Sequence, residues 1–368
     1  MRKDNTIEAF FALVRGGLWE TEVQLASYGK FDYENILRIA REQSVVGLVA
    51  AGLEHITDVI VPQVIALQFA GETLQLEQRN KAMNDFLARL ISNFRYEGIN
   101  AILVKGQGIA QCYERPLWRS SGDVDLLLDS VNFVKAQQYL MPISIRNEGE
   151  LKEEKHHEFE IGPWVVELHG NMPTHFSTKA DRLLEELQID AFNNNRVRVW
   201  HYKEKDIKLL NVDADILFVF THILKHFFRG GIGIRQICDW CRLMWIYKDQ
   251  IDIDILENRL HQIKLLTEWK AFAALAVNEL GYPVEHMPLY SNEAKWKRKS
   301  SKILKFVLKT GNFGHNRATG YYKQYPYLVT KVISFYWRVA DNVRYLFIFP
   351  VDSFRVFGWL IRHGIKNL

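Results

Sequence analysis

The chain has 368 residues, 48% hydrophobic and 24% charged, which suggests two or three structural units and excludes a wholly disordered, collagenous or disulfide-scaffold protein. Three cysteines are too few for a secreted disulfide framework, so a reducing cytoplasm is the expected compartment. The net charge of +4 is uneven: residues 291–368 hold 15 Lys and Arg against 3 Asp and Glu, a charge of +12, which leaves −8 on the first 290 residues.

Residues 1–96 read as an N-terminal helical region. The opening MRKDNTIEAFFALVRGG does not read as a signal peptide, because Asp-Asn-Thr and Glu8 interrupt the charged start and the apolar run is short. Ile7, Phe10, Phe11, Leu13 and Val14 are spaced for one helix face. Ile36, Ile39, Ala40, Val45 and Val46 continue that period across Tyr33 to Ile56, and Pro62 opens a third helix running to about Tyr96.

The texture changes at Gly98, and residues 97–210 read as an α+β core. INAILVKG, residues 99–106, is a short apolar run of the buried-strand kind, followed by a short helix, GIAQCYE, and a loop, RPLWRSSG. DVDLLLD, residues 123–129, is a second strand, and residues 131–141 a crossover helix. HHEFEIG and WVVELHG form a hairpin with Gly162-Pro163 at the turn, and VRVWHY, residues 197–202, adds an edge strand. From Asp213 the chain returns to helix, giving a helical domain over residues 211–290 and a basic, aromatic-rich helical tail over 291–368 with a loop near GNFGHNRATG.

The informative string is Gly122-Asp123-Val124-Asp125. Strand side chains alternate, so Asp123 and Asp125 project to one side while Val124, Leu126 and Leu128 face the core. Two like charges so close call for a cation, and Mg²⁺ with oxygen ligands is the natural one. Two such ions about 4 Å apart serve phosphoryl transfer and need a third carboxylate. Glu167, flanked by Val166 and Leu168, supplies it. Relief of repulsion between the carboxylates is expected to make Asp125→Asn harmless to the fold.

LVKGQGIAQCYERPLWRSSGDVDLLLD followed by VVELHG resembles the uncharacterised nucleotidyltransferase family (NTP_transf_5-like), a branch of the DNA polymerase β-like nucleotidyltransferase superfamily. Lys105, Gly106, Tyr113, Arg119, Gly122, Asp123, Asp125, Glu167 and His169 sit on the family pattern, with Val104 where Leu is usual before Lys-Gly. The resemblance implies a small mixed β-sheet nucleotidyltransferase core flanked by helical regions. It also implies transfer of NMP from an NTP to an acceptor hydroxyl, with two Mg²⁺ ions, or Mn²⁺, on Asp123, Asp125 and Glu167. Lys105-Gly106-Gln107-Gly108 matches the place of the superfamily's triphosphate loop but lacks its Ser. Lys105 and Arg119 are expected to bind phosphate or fix the covering loop, beside Gly122. The helical domain is expected to line the cleft, so His222, Lys225, His226 and Arg229 would face base or phosphates.

His156-His157 opens the hairpin strand before Glu167, and alternation aims only one of the pair at the site without saying which; His157 and His169 are the candidates named for the cleft. The C-x-x-C of Cys238 and Cys241 lies on a helix and reads as core packing, and Asp239 as a structural partner of Arg235 or Arg242. In the tail, Phe335, Trp337, Tyr345, Phe347 and Phe349 follow helical spacing and predict buried aromatic faces, with a basic patch left for a large anionic acceptor, nucleic acid or a lipid surface. No stretch reaches about 18 apolar residues, so no spanning helix is expected. The rival function is a catalytically silent nucleotide-binding protein or a membrane-surface partner protein with the same fold.

Overall fold

The computed structural model of the chain describes residues 4–151, 155–174, 177–314 and 326–366. Four helices come first: α1 (Asn5–Trp19), α2 (Tyr33–Glu42), α3 (Val46–Glu54) and α4 (Gln63–Tyr96). Asp4 and Asp32 cap α1 and α2 by accepting backbone N–H groups that a helix start leaves unpaired. The apolar period across Tyr33–Ile56 is two helices instead of one, because the chain turns at Ser44, whose φ is 56°. Pro62 lies just outside α4 as its cap residue, consistent with a ring that has no N–H to donate.

A 7-stranded mixed sheet follows in the order β3-β4-β5-β2-β1-β7-β6. Its strands are β1 (Ile102–Val104), β2 (Asp123–Leu127), β3 (Arg146–Leu151), β4 (His156–Ile161), β5 (Trp164–His169), β6 (Val197–Tyr202) and β7 (Lys205–Leu210). The protein is therefore α+β. β2 runs parallel to β5 and antiparallel to β1, and β1 runs parallel to β7. Three helices are interspersed: α5 (Gly106–Ala110), α6 (Ser130–Leu140) and α7 (Thr178–Asn193). The strands β3 and β7 and helix α7 add to the expected elements.

One face of the sheet is apolar. Leu103, Val124, Leu126, Phe159, Val166, Leu168 and Leu209 pack there against Leu87, Ile91 and Phe94 of α4 and Phe133 and Leu140 of α6. Each such fully buried Leu or Phe contributes roughly 1.5–3 kcal/mol. The opposite face carries Asp123, Asp125 and Glu167, the other half of each alternation, and is overhung by α8 (Val212–Arg229).

Beyond α8 come α9 (Ile234–Ile246), α10 (Ile253–Ile263), α11 (Leu266–Leu280) and α12 (Ala294–Thr310). Cys238 and Cys241 on α9 are fully buried free thiols whose pKa values burial raises. Two more helices span Tyr327–Leu346 and Pro350–Lys366. Of the tail aromatics, Tyr345 and Phe349 enter the main core, on rings that include Phe227 and Phe306. Phe335, Trp337 and Phe347, expected to be buried, are 56%, 44% and 70% exposed. Tyr345 and Phe349 anchor these segments, and the helical spacing of the other aromatics does not bring them into the core. The expected loop at GNFGHNRATG lies from residue 315 onward outside the described residues. Among the described residues no helix is long and apolar enough to cross a membrane.

Candidate functional site

The polar face of the sheet is assembled by register. Val104 lies opposite Asp125, Asp125 opposite Glu167, and Leu127 opposite His169. On the far side of β5, Glu158 lies opposite Glu167 and His156 opposite His169. Single ligand atoms of Asp123, Asp125 and Glu167 all lie within 4.8 Å of one another. Those of His156, Glu167 and His169 meet the same limit, so Glu167 belongs to both groups.

Lys105 enters this row from the end of β1. Its φ of 57° and the 39° of Gly106 reverse the chain from β1 into α5. A side-chain-bearing residue held there costs of order 1–3 kcal/mol, a strain usually kept for a purpose. Its ammonium lies 2.6 Å from Asp125 Oδ1. His169 Nε2 reaches the same oxygen at 2.8 Å and Glu167 Oε2 at 3.4 Å, and His156 Nε2 lies 3.2 Å from Glu167 Oε2.

Charge is distributed unequally over the three carboxylates. Repulsion from Asp125, with burial and Glu167 added, pushes the Asp123 carboxyl up to about 6. Burial opposes ionisation of Glu167, yet hydrogen bonds from His156 and His169 hold its carboxyl far below the usual range. Burial likewise opposes the charge of Lys105, but Asp125, Glu167 and Asp123 outweigh it and raise its pKa. Burial disfavours protonation of His169, and its bonds to Asp125 and Glu167 overcome that and raise its pKa. Lys105, with His169 hydrogen-bonded to Asp125 and Glu167, thus faces three carboxylates, and the repulsion among them falls on Asp123.

The segment leading into β2 is held rigidly. Asn80 of α4 donates to the carbonyls of Leu117 and Arg119, both at 2.8 Å. Gln107 donates to Asn80 and accepts from Ser121 Oγ at 3.1 Å. Gly47 of α3 lies so close beneath that a Cβ there would fall 2.0 Å from the Trp118 carbonyl. Arg119 is 4% exposed and donates from Nε and Nη2 to the two oxygens of Asp239 on α9, at 2.8 and 2.7 Å. Tyr113 donates to the same Asp239.

Between this face and α8 lies a cavity of about 290 Å³. Lys105, His156, Glu167 and His169 line it from the sheet, Asn171 and Thr174 from the segment after β5, and Phe218, Thr221, His222, Lys225, His226 and Arg229 from α8. Those α8 positions share one helix face. Burial, assisted by Lys105, keeps His222 well below its usual pKa and brings His226 down to about 3, so both rings are neutral.

Several expected site residues are placed differently. Arg119 does not face the cleft; its fork is spent on Asp239, Ser120 and Ser121. Asp239 pairs chiefly with Arg119 and stands 3.8 Å from Arg235, whereas Arg242 goes to Glu114. Gln107 is 2% exposed within the loop network, and Gly108 backs onto Leu209 and Leu103, so neither presents itself to a phosphate. Gly106 adjoins Asp123, and Gly122 has open space where a side chain would be. His157 points to the apolar face, where it stacks on Phe159 at 4.1 Å and meets Gln137. Its neighbour His156 is the cleft residue. Counting back from the two-residue turn at Gly162-Pro163 pairs Ile161 with Trp164 and hence His156 with His169, a signal present in the hairpin itself.

This arrangement of carboxylates on adjacent strands, with a cation at the preceding strand-to-helix turn and a helical wall opposite, coincides with a family assignment. The model of the uncharacterised nucleotidyltransferase family NTP_transf_5 matches residues 29–281, and the chain belongs to that family. Comparison with curated proteins and with solved structures found no match. The family implies a transferase with an NTP substrate and divalent metal. The donor set fits such an ion, because Asp123, Asp125 and Glu167 converge as hard oxygen ligands in a site with surplus negative charge.

Proposed function

We propose that the protein transfers a nucleoside monophosphate from an NTP to an acceptor hydroxyl, using Mg²⁺ or Mn²⁺, two ions in the full site, held by Asp123, Asp125 and Glu167. The observation that carries the reading is the convergence of these three carboxylates within 4.8 Å inside the family-matched segment. The bound ions would polarise the α-phosphate and stabilise the leaving pyrophosphate. Lys105 fixes Asp125 and adds positive charge at the turn where the triphosphate would lie. Lys225 and Arg229 of α8 give the opposite wall its positive charge, and the neutral His222 and His226 offer hydrogen bonds without repelling a metal. Asp125 is engaged by Lys105 and His169, and Glu167 by His156 and His169.

The test is incubation with each α-labelled NTP and Mg²⁺ or Mn²⁺, following pyrophosphate release and labelling of acceptor or protein. Ion-dependent release from at least one NTP supports the reading, and none from any NTP refutes it. A second reading, that the tail also seats the protein on an anionic membrane surface, is favoured by the exposed Phe335, Tyr336, Trp337, Phe347 and Phe354 in a segment of charge +12.

A further inference from the structure

We infer that His156, His169 and Glu167 form a second, chemically distinct cation position, one that takes a divalent transition metal of the zinc class in preference to Mg²⁺. The two rings come from cross-strand partners, His156 on β4 and His169 on β5. Their centroids are 5.0 Å apart, and both Nε2 atoms converge on one oxygen, Glu167 Oε2, at 3.2 and 3.4 Å. All three ligand atoms lie within 4.8 Å of one another, and all three side chains line the cavity, so an ion has an entry path and room for further ligands. The donor chemistry differs from that of Asp123 and Asp125. Two imidazoles and a carboxylate suit zinc-class ions, whereas Mg²⁺ takes oxygen and keeps its water. Glu167, shared with Asp123 and Asp125, would bridge the two positions. Simple hydrogen bonding is the competing account of these contacts: each imidazole would then be a donor to carboxylate, with no metal role. The inference concerns cation binding alone and does not depend on nucleotidyl transfer.

The experiment is titration of the metal-stripped full chain with Zn²⁺ and, separately, Mg²⁺, followed by calorimetry, together with the Zn K-edge X-ray absorption spectrum of the complex at one equivalent. The wild-type spectrum is expected to show imidazole scattering from two rings. His156→Gln is expected to weaken Zn²⁺ well beyond the ~10–100-fold that loss of a partner outside the ligand set costs, and to weaken Mg²⁺, for which His156 is such an outer partner of Glu167, at least about tenfold less than Zn²⁺. An oxygen-only shell in the wild type overturns the proposal. So does a His156→Gln protein that loses both ions equally or keeps both. The wild-type spectrum decides the matter even if the variant folds poorly, and the separate labelled-NTP assay keeps failure of this inference distinct from failure of the transferase reading.

Discussion

At the scale of single residues, the three carboxylates behave differently although they share one site. Asp125 has two partners, Lys105 at 2.6 Å and His169 at 2.8 Å, so neutralising it would strand a buried ammonium. The expectation that Asp125→Asn relieves repulsion at no cost therefore belongs to its neighbour. Asp123 bears the repulsion, and its carboxyl titrates near 6 against a usual 3.8. A group whose folded pKa is raised weakens the fold above that pKa, and the penalty fades as pH falls toward the unfolded value. Asp123→Asn should thus stabilise the metal-free protein by about 1–3 kcal/mol at pH 7, with the gain shrinking between about pH 6 and 4. Urea unfolding at several pH values checks this, and an unchanged or lower midpoint at pH 7 would contradict it. Lys105→Met should act in the opposite direction. It leaves Asp125 to His169 alone and should cost about 3 kcal/mol, the low end for a broken buried pair. It should also weaken NTP binding at least about tenfold, read by the same unfolding assay and by nucleotide titration.

At the scale of elements, the loop from Pro116 to Gly122 is a part held from three sides, by Asn80 of α4, Gln107 of α5 and the Arg119–Asp239 pair to α9. Arg119→Lys should lose the two-pronged bond and lower stability by at least 2 kcal/mol, roughly the scale of a damaged buried pair. Thermal unfolding reads this, and a Tm within a degree of wild type would show the pair to be dispensable. Much of this region was legible in the chain. The Asp-x-Asp alternation placed two carboxylates on one side, and the lone Glu167 between Val166 and Leu168 placed the third. The partner of Arg119, Asp239, was not legible because it lies 120 residues away and is brought near only by tertiary packing. The choice between His156 and His157 needed the hairpin register, which alternation in one strand cannot supply. Strands β3 and β7 escaped notice because RNEGEL and KDIKLL are too polar and too short of alternation to read as strands.

At the scale of the whole molecule, the cores of the N-terminal helices and of α8–α12 form one apolar cluster, which also takes in Tyr345 and Phe349. The tail is thus anchored through Tyr345 and Phe349 and leaves Phe335, Tyr336, Trp337, Phe347 and Phe354 exposed. Aromatic side chains in a segment of charge +12 should bind anionic lipid. The full chain is expected to pellet with phosphatidylserine-containing vesicles at low salt, to bind less well in 0.5 M salt, and to ignore neutral vesicles. Equal binding to both vesicle types, or to neither, would remove the membrane reading and leave the exposed aromatics without that role.

The most direct measurement compares wild type with Asp123→Asn in the labelled-NTP assay with Mg²⁺ or Mn²⁺. This variant should fold at least as well as the parent, so a loss of activity cannot be ascribed to unfolding. The account predicts ion-dependent pyrophosphate release by the wild type and a fall of more than about 100-fold in the variant, because a ligand should matter more than the outer partners that cost ~10–100-fold. Equal release by the two proteins, or none by the wild type with any NTP, would contradict it.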